Sequence, residues 1–360
     1  MKELLALPYE IDYSKIISTK SNEVFDLSDV EGRKKYYQAK VGNEIEILKK
    51  YLKSNTFIGY MLAPKNAGKG TYLQGLEEAL GSNEYFAKIS VGDLVRDAES
   101  EYKDEGKNSS VYKYFHDNYR GQLHIDKVFY NLATKETGAL LPTEFILFLI
   151  KRAVDKIGRK TIFLDGFPRQ VDQISYSLFL RDLINYREDP DCFVIINIPI
   201  TVIKDRMEGR VICPKCKTPR GPRLLPTKEV GYDKEKKEFY LICDNPGCDN
   251  IRMIPKEGDN LGIEAIKDRI LLDRKLIDTS REMYGVNRIE LYNSFDLDWA
   301  KENMSDYELT KETSYEEKDG KVIKHSTPYL VKENGKEYYS ALPPFVVVQF
   351  IKQLVETFVK

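Results

Sequence analysis

The feature that most constrains the fold is a glycine-containing loop directly after a short apolar run. The run covers residues 57–62, and the loop covers residues 63–71 with the sequence APKNAGKGT. A phosphate-binding loop needs unpaired backbone N–H groups, a helix N-terminus behind it and a lysine that reaches the phosphates. Lys69 and the glycines beside it meet this requirement. The sequence therefore predicts a strand, a phosphate loop and a helix in that order. The alternative is an ordinary glycine turn that caps a helix.

The first half of this loop departs from the usual pattern, because Ala63 and Asn66 stand where glycines are common. Asparagine adopts the left-handed backbone conformation more readily than most residues. We therefore expect Asn66 to take over the conformational role of the missing glycine. The predicted phosphate-binding residues are Asn66, Ala67, Gly68, Lys69, Gly70 and Thr71.

A second motif follows another apolar run, residues 161–164, where residues 165–169 read DGFPR. Ligands of open parallel sheets bind at the carboxyl ends of the strands. At that edge Asp165 can hold the hydration shell of Mg²⁺, and Arg169 can grip a phosphate through its planar guanidinium. Taken alone, the motif is also compatible with a strand-ending turn that carries a surface arginine.

The other periodic segments indicate an α/β fold. Residues 193–198 have the pattern of a buried strand, and residues 143–157 that of a helix. Strands that alternate with helices favour a parallel sheet with helices around it. Apolar spacing also predicts an amphipathic helix over residues 29–54. Near the end, the pairs Asp-Gly at 319–320 and Asn-Gly at 334–335 predict two hairpins. A last helix is predicted over residues 343–359.

Four of the five cysteines form two close pairs, Cys213 with Cys216 and Cys243 with Cys248. In a chain without an export signal, such pairs are more typical of metal ligands than of disulfides. Four thiolates from two turns suit a closed, tetrahedral, structural Zn²⁺ site. The alternative is a set of four free thiols in a hairpin-rich segment.

The charge balance limits the possible partners. The chain has 56 basic and 57 acidic residues, a formal net charge of -1. Such a chain has no overall attraction to nucleic acid or to anionic membranes. No apolar run reaches the roughly 18 residues of a membrane span, and the N-terminus lacks the pattern of a secretion signal. We therefore expect a cytoplasmic protein without membrane or nucleic-acid partners.

Together these motifs resemble the adenylate kinase family of nucleoside monophosphate kinases. Residues 90–96 (SVGDLVR) resemble the turn with which that family binds the monophosphate, and residues 206–210 (RMEGR) resemble the entrance of its lid. Arg269 lies where the family has a further phosphate-binding arginine. The resemblance extends from about residue 57 to residue 292.

The resemblance implies a role for each matching residue. Arg96 and Arg169 would bind the acceptor phosphate, and Gln173 would read the acceptor base. Arg206 would stack on the donor base, and Arg210 would neutralise the transferring phosphate. The implied catalytic residues are Lys69, Asp165, Arg169, Arg206, Arg210 and Arg269, and the implied acceptor-binding residues are Ser90, Val91, Arg96, Leu141, Gly166, Arg169 and Gln173.

The resemblance also implies an architecture: a P-loop kinase with a central parallel five-stranded sheet flanked by helices. A helical insertion that binds the monophosphate would cover about residues 90–140, and a zinc-ribbon lid about residues 207–258. The core would span 56–300. Two extensions would lie outside it: a mostly helical N-terminal one at 1–55 and a hairpin-rich one at 301–342. Residues 343–360 would return to the core as its last helix. The implied protein is a monomer that uses ATP with Mg²⁺ and holds a structural Zn²⁺.

The implied activity is transfer of the γ-phosphoryl group of ATP to a nucleoside monophosphate, with AMP giving two ADP. Val91 stands where AMP-specific relatives carry a threonine, so a pyrimidine or broad-specificity kinase is the alternative. Residues 138–141 resemble the stretch that lines the base pocket, and Lys256 stands where the lid usually has an arginine. Loss of the loop glycines leaves open an inactive nucleotide- or nucleic-acid-binding zinc protein.

Overall fold

The computed structural model describes residues 9–134, 141–245, 247–256 and 262–359. Its α-helices are, in chain order, α1 (Val30–Leu52), α2 (Lys69–Leu80), α3 (Val91–Glu105), α4 (Ser110–Asn118), α5 (Ile125–Thr134), α6 (Thr143–Ile157), α7 (Tyr176–Leu183), α8 (Ile200–Met207), α9 (Lys267–Glu282), α10 (Leu297–Asn303) and α11 (Pro343–Phe358). Among the described residues, no helix combines the length and apolarity needed to cross a membrane.

The strands of the same residues are, in chain order, β1 (Ile58–Leu62), β2 (Phe86–Ser90), β3 (Thr161–Asp165), β4 (Asp191–Asn197), β5 (Val211–Ile212), β6 (Pro219–Arg220), β7 (Val230–Asp233), β8 (Glu238–Leu241), β9 (Ile254–Pro255), β10 (Asn287–Tyr292), β11 (Ser294–Asp296), β12 (Lys311–Lys318), β13 (Lys321–Pro328), β14 (Leu330–Glu333) and β15 (Lys336–Ser340).

A five-stranded sheet in the order β10-β4-β1-β3-β2 forms the centre of the molecule, and its neighbouring strands are all parallel. The predicted α/β fold with a central parallel sheet is confirmed. Asp165, at the end of β3, pairs with Met61 on one side and Ser90 on the other. The phosphate loop, the DGFPR segment and the start of α3 therefore leave the sheet at one edge, the edge where ligands of such sheets bind.

Side chains that alternate along β1 pack into two separate cores, because successive residues of a strand face opposite sides of the sheet. Phe57 and Met61 belong to the core shared with α1, α2 and α11. Ile58 and Tyr60 belong to the core shared with α3 to α7 and α9. Contact between α2 and α11 requires Gly75, since a Cβ there would lie 2.6 Å from a methyl group of Val347.

The N-terminal extension packs against the sheet domain. Its predicted helix is present as α1, with non-helical backbone angles at Val41. Asp29 caps the helix by accepting hydrogen bonds from the N–H groups of Glu31 and Gly32. Arg33 of α1 forms an ion pair with Glu78 of α2, with 2.8 Å between Nε and Oε2. This segment therefore extends the helical layer on one face of the sheet.

The predicted helical insertion between β2 and α6 consists of α3, α4 and α5, which we call the acceptor lobe. Its centre is aromatic: Phe115 packs against Phe129 and Phe145, with ring centroids 5.3 and 4.7 Å away. The carboxylate of Glu101 accepts a hydrogen bond from the N–H of Val111 at 2.8 Å and pairs with Arg152 at 3.0 Å. Polar contacts thus tie α3 to α4 and to α6.

The cysteine-bearing segment, residues 207–256, is called the lid below. It contains a small sheet of β5, β6 and β9, and a hairpin formed by β7 and β8. Both hairpins expected near the C-terminus are also present, as β12–β13 and β14–β15. β15 pairs with β11, which closely follows the last strand of the central sheet. The residues between 294 and 340 are therefore joined to the core through a second sheet.

Candidate phosphate-binding cleft and cysteine cluster

The phosphate loop connects β1 to α2 and contains two left-handed residues. The φ angle is 71° at Asn66 and 109° at Gly68. The expectation that Asn66 adopts the left-handed conformation is confirmed. Gly68, the N-cap of α2, provides no side chain to hydrogen-bond the first N–H groups of the helix. Those groups form the electropositive end of a helix, which suits an anionic ligand.

Lys69, the first residue of α2, bends back over the loop. Its Nζ donates to the carbonyl oxygen of Ala63 at 3.0 Å and lies 3.6 Å from Oδ1 of Asp165. Asp165 reaches this position because β3 lies next to β1 and ends beside it. The sheet thus brings the first two predicted motifs, about a hundred residues apart in the chain, into direct contact.

Three arginines from different elements converge beside the loop. Arg96 of α3, Arg169 after β3 and Arg269 of α9 all line one cleft. A Cβ at Gly92 would lie 3.4 to 3.5 Å from guanidinium nitrogens of Arg96 and Arg169. Burial, followed by the positive charge of Arg269, lowers the pKa of Arg169. Guanidinium groups stay charged even so, and this crowding of like charges indicates a site for an anion.

Two hydrogen-bonding groups in the cleft support the same conclusion. The Nε of Arg169 and the Nδ2 of Asn66 are buried, and neither has a hydrogen-bond partner among the described residues.

Arg269 forms an ion pair with Asp273 one helical turn later, at 2.7 Å. Burial is also the main cause of a raised pKa at Asp273. The sequence reading did not include Asp273, although its spacing of four residues from Arg269 on a helix is a recognisable signal.

The arginines at the lid entrance contact the phosphate loop. Arg206, near the end of α8, donates to the carbonyl oxygen of Ala67 at 3.1 Å. Arg210 donates to the side-chain oxygen of Asn66. Lys256 joins the same region, since its backbone N–H donates to the carbonyl oxygen of Arg210 at 3.1 Å. The structure therefore gathers all six of the predicted catalytic residues around one cleft.

The cleft has a volume of about 870 Å³ and includes groups that no motif indicated. Its wall includes Thr310, Ser340 and Leu342 of the C-terminal extension (residues 301–342), and Pro343 at the start of α11. These residues carry no local signal of function, because only the return of the chain to the sheet brings them there. The volume lies within the usual range of about 300–1,000 Å³ for ligand sites.

Several predicted acceptor-binding residues lie outside the lining of this cleft. Ser90 accepts a hydrogen bond from the N–H of Asp93 at 3.3 Å and so caps α3, and Val91 is buried. Gln173 is buried as well: its Oε1 accepts from the N–H of Arg169 at 2.7 Å, and its Nε2 donates to Thr143 at 3.1 Å. Leu141 is partly buried, whereas residues 138–140 lie outside the described residues.

The four paired cysteines form one cluster in the lid. Their sulfur atoms all lie within 4.8 Å of one another. The distance is 3.9 Å between Cys213 and Cys248, and 3.7 Å between Cys216 and Cys243. Four sulfurs at about 2.3 Å from a tetrahedral Zn²⁺ would be separated by about 3.8 Å. The donor set and its spacing therefore fit a closed four-thiolate site.

Comparison with known proteins identifies relatives for much of this chain, although no protein-family model matches it. It is 32% identical over 171 residues to the adenylate kinase of Thermotoga petrophila, a match that covers 47% of this chain and 64% of that protein. It is 31% identical over 173 residues to the adenylate kinase of Clostridium acetobutylicum, covering 48% and 67% respectively. For the adenylate kinase of Malacoplasma penetrans, the identity is 26% over 255 residues, covering 70% and 95%.

The chain thus spans just under two thirds of the length of the Thermotoga protein and two thirds of the Clostridium protein. On this similarity the chain belongs to the adenylate kinase family.

Proposed function

We propose that the protein transfers the γ-phosphoryl group of ATP, bound with Mg²⁺, to a nucleoside monophosphate, and that AMP is its main acceptor. One observation carries this proposal: positively charged side chains from separate parts of the chain face one cleft next to a phosphate loop. They are Lys69, Arg96, Arg169, Arg206, Arg210 and Arg269. A site that held the phosphates of only one nucleotide would not need six cationic side chains.

The chemistry fits this distribution of charge. The acceptor phosphate is itself the nucleophile, so the reaction needs alignment and charge neutralisation rather than a strong base. The acceptor and donor phosphates are both anions, and two like unit charges 4 Å apart repel each other by about 4 kcal/mol at an effective dielectric constant of 20. The cationic side chains would offset repulsion of this order. Arg96 and Arg169 would hold the acceptor phosphate, and Lys69 with the loop N–H groups would hold the donor phosphates. Arg206 would contact the donor base, and Arg210 and Arg269 the transferring group.

Two metals accompany this proposal, with different roles. Asp165, at the sheet edge beside Lys69, is the residue that would hold Mg²⁺ through its hydration shell. The metal would neutralise charge on the donor phosphates. The four cysteines would hold Zn²⁺ as a structural ion, because a complete thiolate set leaves no open position for a substrate. In this proposal, residues 207–258 act as the lid, and the acceptor lobe binds the monophosphate.

A specific observation favours a second acceptor class. Both ends of the Gln173 side-chain amide are engaged by the protein, and the residue at the base-binding turn is the apolar Val91. The Val91 side chain offers no hydrogen bond to a base, and the buried Gln173 amide bonds to Arg169 and Thr143 and does not line the cleft. A pyrimidine or broad-specificity monophosphate kinase is therefore the runner-up.

A coupled assay with ATP and Mg²⁺ and each of AMP, CMP, UMP and GMP tests these proposals together. We expect turnover with AMP to exceed turnover with the other acceptors. Higher turnover with CMP or UMP would replace the adenylate assignment and retain the kinase. No turnover with any acceptor at millimolar concentration would reject the kinase proposal in favour of a nucleotide-binding zinc protein.

A further inference from the structure

The C-terminal extension contacts the lid along the hairpin formed by β12 and β13. The N–H of Thr313 donates to the carbonyl oxygen of Arg223 at 2.7 Å. The hydroxyl of Tyr315 donates to the carbonyl oxygen of Pro222 at 2.5 Å. The ring of Tyr315 packs on Phe239 of the β7–β8 hairpin, with 5.4 Å between centroids. On the opposite strand, Lys324 donates to the carbonyl oxygen of Thr227 at 3.0 Å. Both strands of this hairpin therefore hold the lid.

A charged network links these contacts to the cleft. Nε of Arg223 lies 2.6 Å from the carboxylate of Glu312, and Nη1 lies 3.3 Å from the carboxylate of Asp205. The same Asp205 carboxylate accepts a hydrogen bond from the buried hydroxyl of Tyr329 at 2.6 Å. Asp205 directly precedes Arg206 on α8, and Asp205 and Arg223 both line the cleft. The network thus joins the hairpin, the lid and the end of the helix that carries Arg206.

The charged hydrogen bonds of this network are suited to hold the end of α8 against the lid and the hairpin. A hydrogen bond between charged groups is roughly twice as strong as one between neutral groups. Asp205 is held from two sides, by an arginine of the lid and by a tyrosine that follows the hairpin. Burial and this carboxylate raise the pKa of Tyr329, so its hydroxyl remains a donor. The end of α8 is therefore held by Arg223 of the lid, which pairs with Glu312 of the hairpin, and by Tyr329, which directly follows the hairpin.

We propose that residues 311–329 brace the lid over the cleft, and that Glu312 and Tyr329 are positioning residues that act on Arg206 through Arg223 and Asp205. Neither side chain needs to touch a nucleotide for this role. The lid is then held in place by a hairpin that follows the last strand of the central sheet in the chain. The kinetic consequence rests on the proposed kinase function, whereas the structural consequence does not.

Hydrogen–deuterium exchange of the full chain without nucleotide tests the brace. In Glu312→Gln combined with Tyr329→Phe, we expect backbone amides of residues 219–242 to exchange about tenfold faster than in wild type. Glu316→Gln is the matched control, because Glu316 lies on the same strand and, among the described residues, forms an ion pair only with the exposed His325 across the hairpin. Unchanged exchange in the double variant, or equal acceleration in the control, would overturn the proposal. Acceleration spread equally over α11 would mean general destabilisation and would overturn it too.

Steady-state kinetics supply a second readout that a merely structural role would not move. We expect the KM for ATP to rise about tenfold in the double variant while the KM for the acceptor stays unchanged, because Arg206 is on the donor side. An equal loss of kcat with both KM values unchanged would contradict a positioning role. If wild type shows no turnover, the proposed function fails while the exchange experiment still decides whether the brace exists.

Discussion

The guanidinium of Arg210 donates a hydrogen bond to the side-chain oxygen of Asn66, and so joins the entrance of the lid to the phosphate loop. Asn66 is one of the two residues, with Ala63, that make this loop atypical. A glycine at the same position would adopt the same backbone conformation, but it would offer Arg210 no side-chain acceptor. The substitution therefore adds a polar contact between two parts of the cleft.

The left-handed backbone at Asn66 leads to a prediction about stability. Asn66→Ala should destabilise the protein by about 1 kcal/mol, because both residues place a Cβ at φ 71° but alanine lacks the local hydrogen bonding that lets asparagine adopt this conformation. Asn66→Gly should cost less than Asn66→Ala, since glycine tolerates this conformation. Denaturant unfolding of the three proteins gives the comparison. An alanine variant as stable as the glycine variant would show that the loop relaxes to another conformation.

Removal of the loop lysine should affect turnover and leave the fold intact. We expect Lys69→Ala to lower kcat by about 10²–10³-fold, the usual loss when one group that stabilises the transition state is deleted. Its contacts with Ala63 and Asp165 are too few to support the core. Lys50→Ala, at an exposed position of α1, is the control and should retain full activity. Activity that survives Lys69→Ala would place the phosphate site elsewhere.

The cysteine cluster gives a prediction about metal content. Elemental analysis should find about one zinc per chain, and Cys248→Ser should lose the metal and lower the melting temperature, because a structural zinc stabilises the folded lid. Cys192→Ala is the control: this buried cysteine lies outside the cluster and its loss should leave the zinc content unchanged. Purified wild-type protein without zinc would leave the cluster as four free thiols.

Glu101 makes the stability of the acceptor lobe depend on pH. Burial by itself raises the pKa of Glu101, but hydrogen bonds from Ser110 and from the N–H of Val111, together with Arg152, hold it below the ordinary value. A carboxyl whose pKa is lowered by folding stabilises the protein above its unfolded pKa, about 4.3. This contribution is lost as the pH falls through the lower, folded pKa.

Glu101→Gln should therefore lower the free energy of unfolding by about 1–2 kcal/mol at pH 7 and have little effect in strong acid. Urea unfolding between pH 7 and pH 3 measures the difference between variant and wild type. Glu105→Gln, at an exposed position on the same helix, should show a much smaller effect. A difference between wild type and Glu101→Gln that stays constant with pH would show that ionisation of Glu101 is not its cause.

Local patterns in the sequence predicted the order of the elements well, for a physical reason. The loop at 63–71, the strand before it and the hairpin turns at Asp319 and Asn334 depend on residues that are neighbours in the chain. Backbone preferences and hydrophobic periodicity act over such short windows. The predicted helix at 29–54 was correct in extent, while the irregular backbone at Val41 had no signal in the spacing.

The contacts between distant segments could not be read in the same way. Nothing near Glu312 or Tyr329 in the chain indicates Arg223 or Asp205 as a partner, because those pairs depend on how the extension returns to the core. The inward orientation of Gln173 is a similar case, since the N–H of Arg169 and the hydroxyl of Thr143 compete for an amide that was expected to read a base.

The sequence by itself determined which chemical groups this protein carries: a glycine-containing loop, a set of arginines, an acidic residue after a strand and two pairs of thiols. These depend on residue type and short spacing, which a single chain displays directly. Only the tertiary structure decided which of these groups meet and which outside residues support them. Parallel strands bring Lys69 and Asp165 to one edge, and the returning hairpin adds a brace to the lid, because packing and long-range pairing arise only when the whole chain has folded.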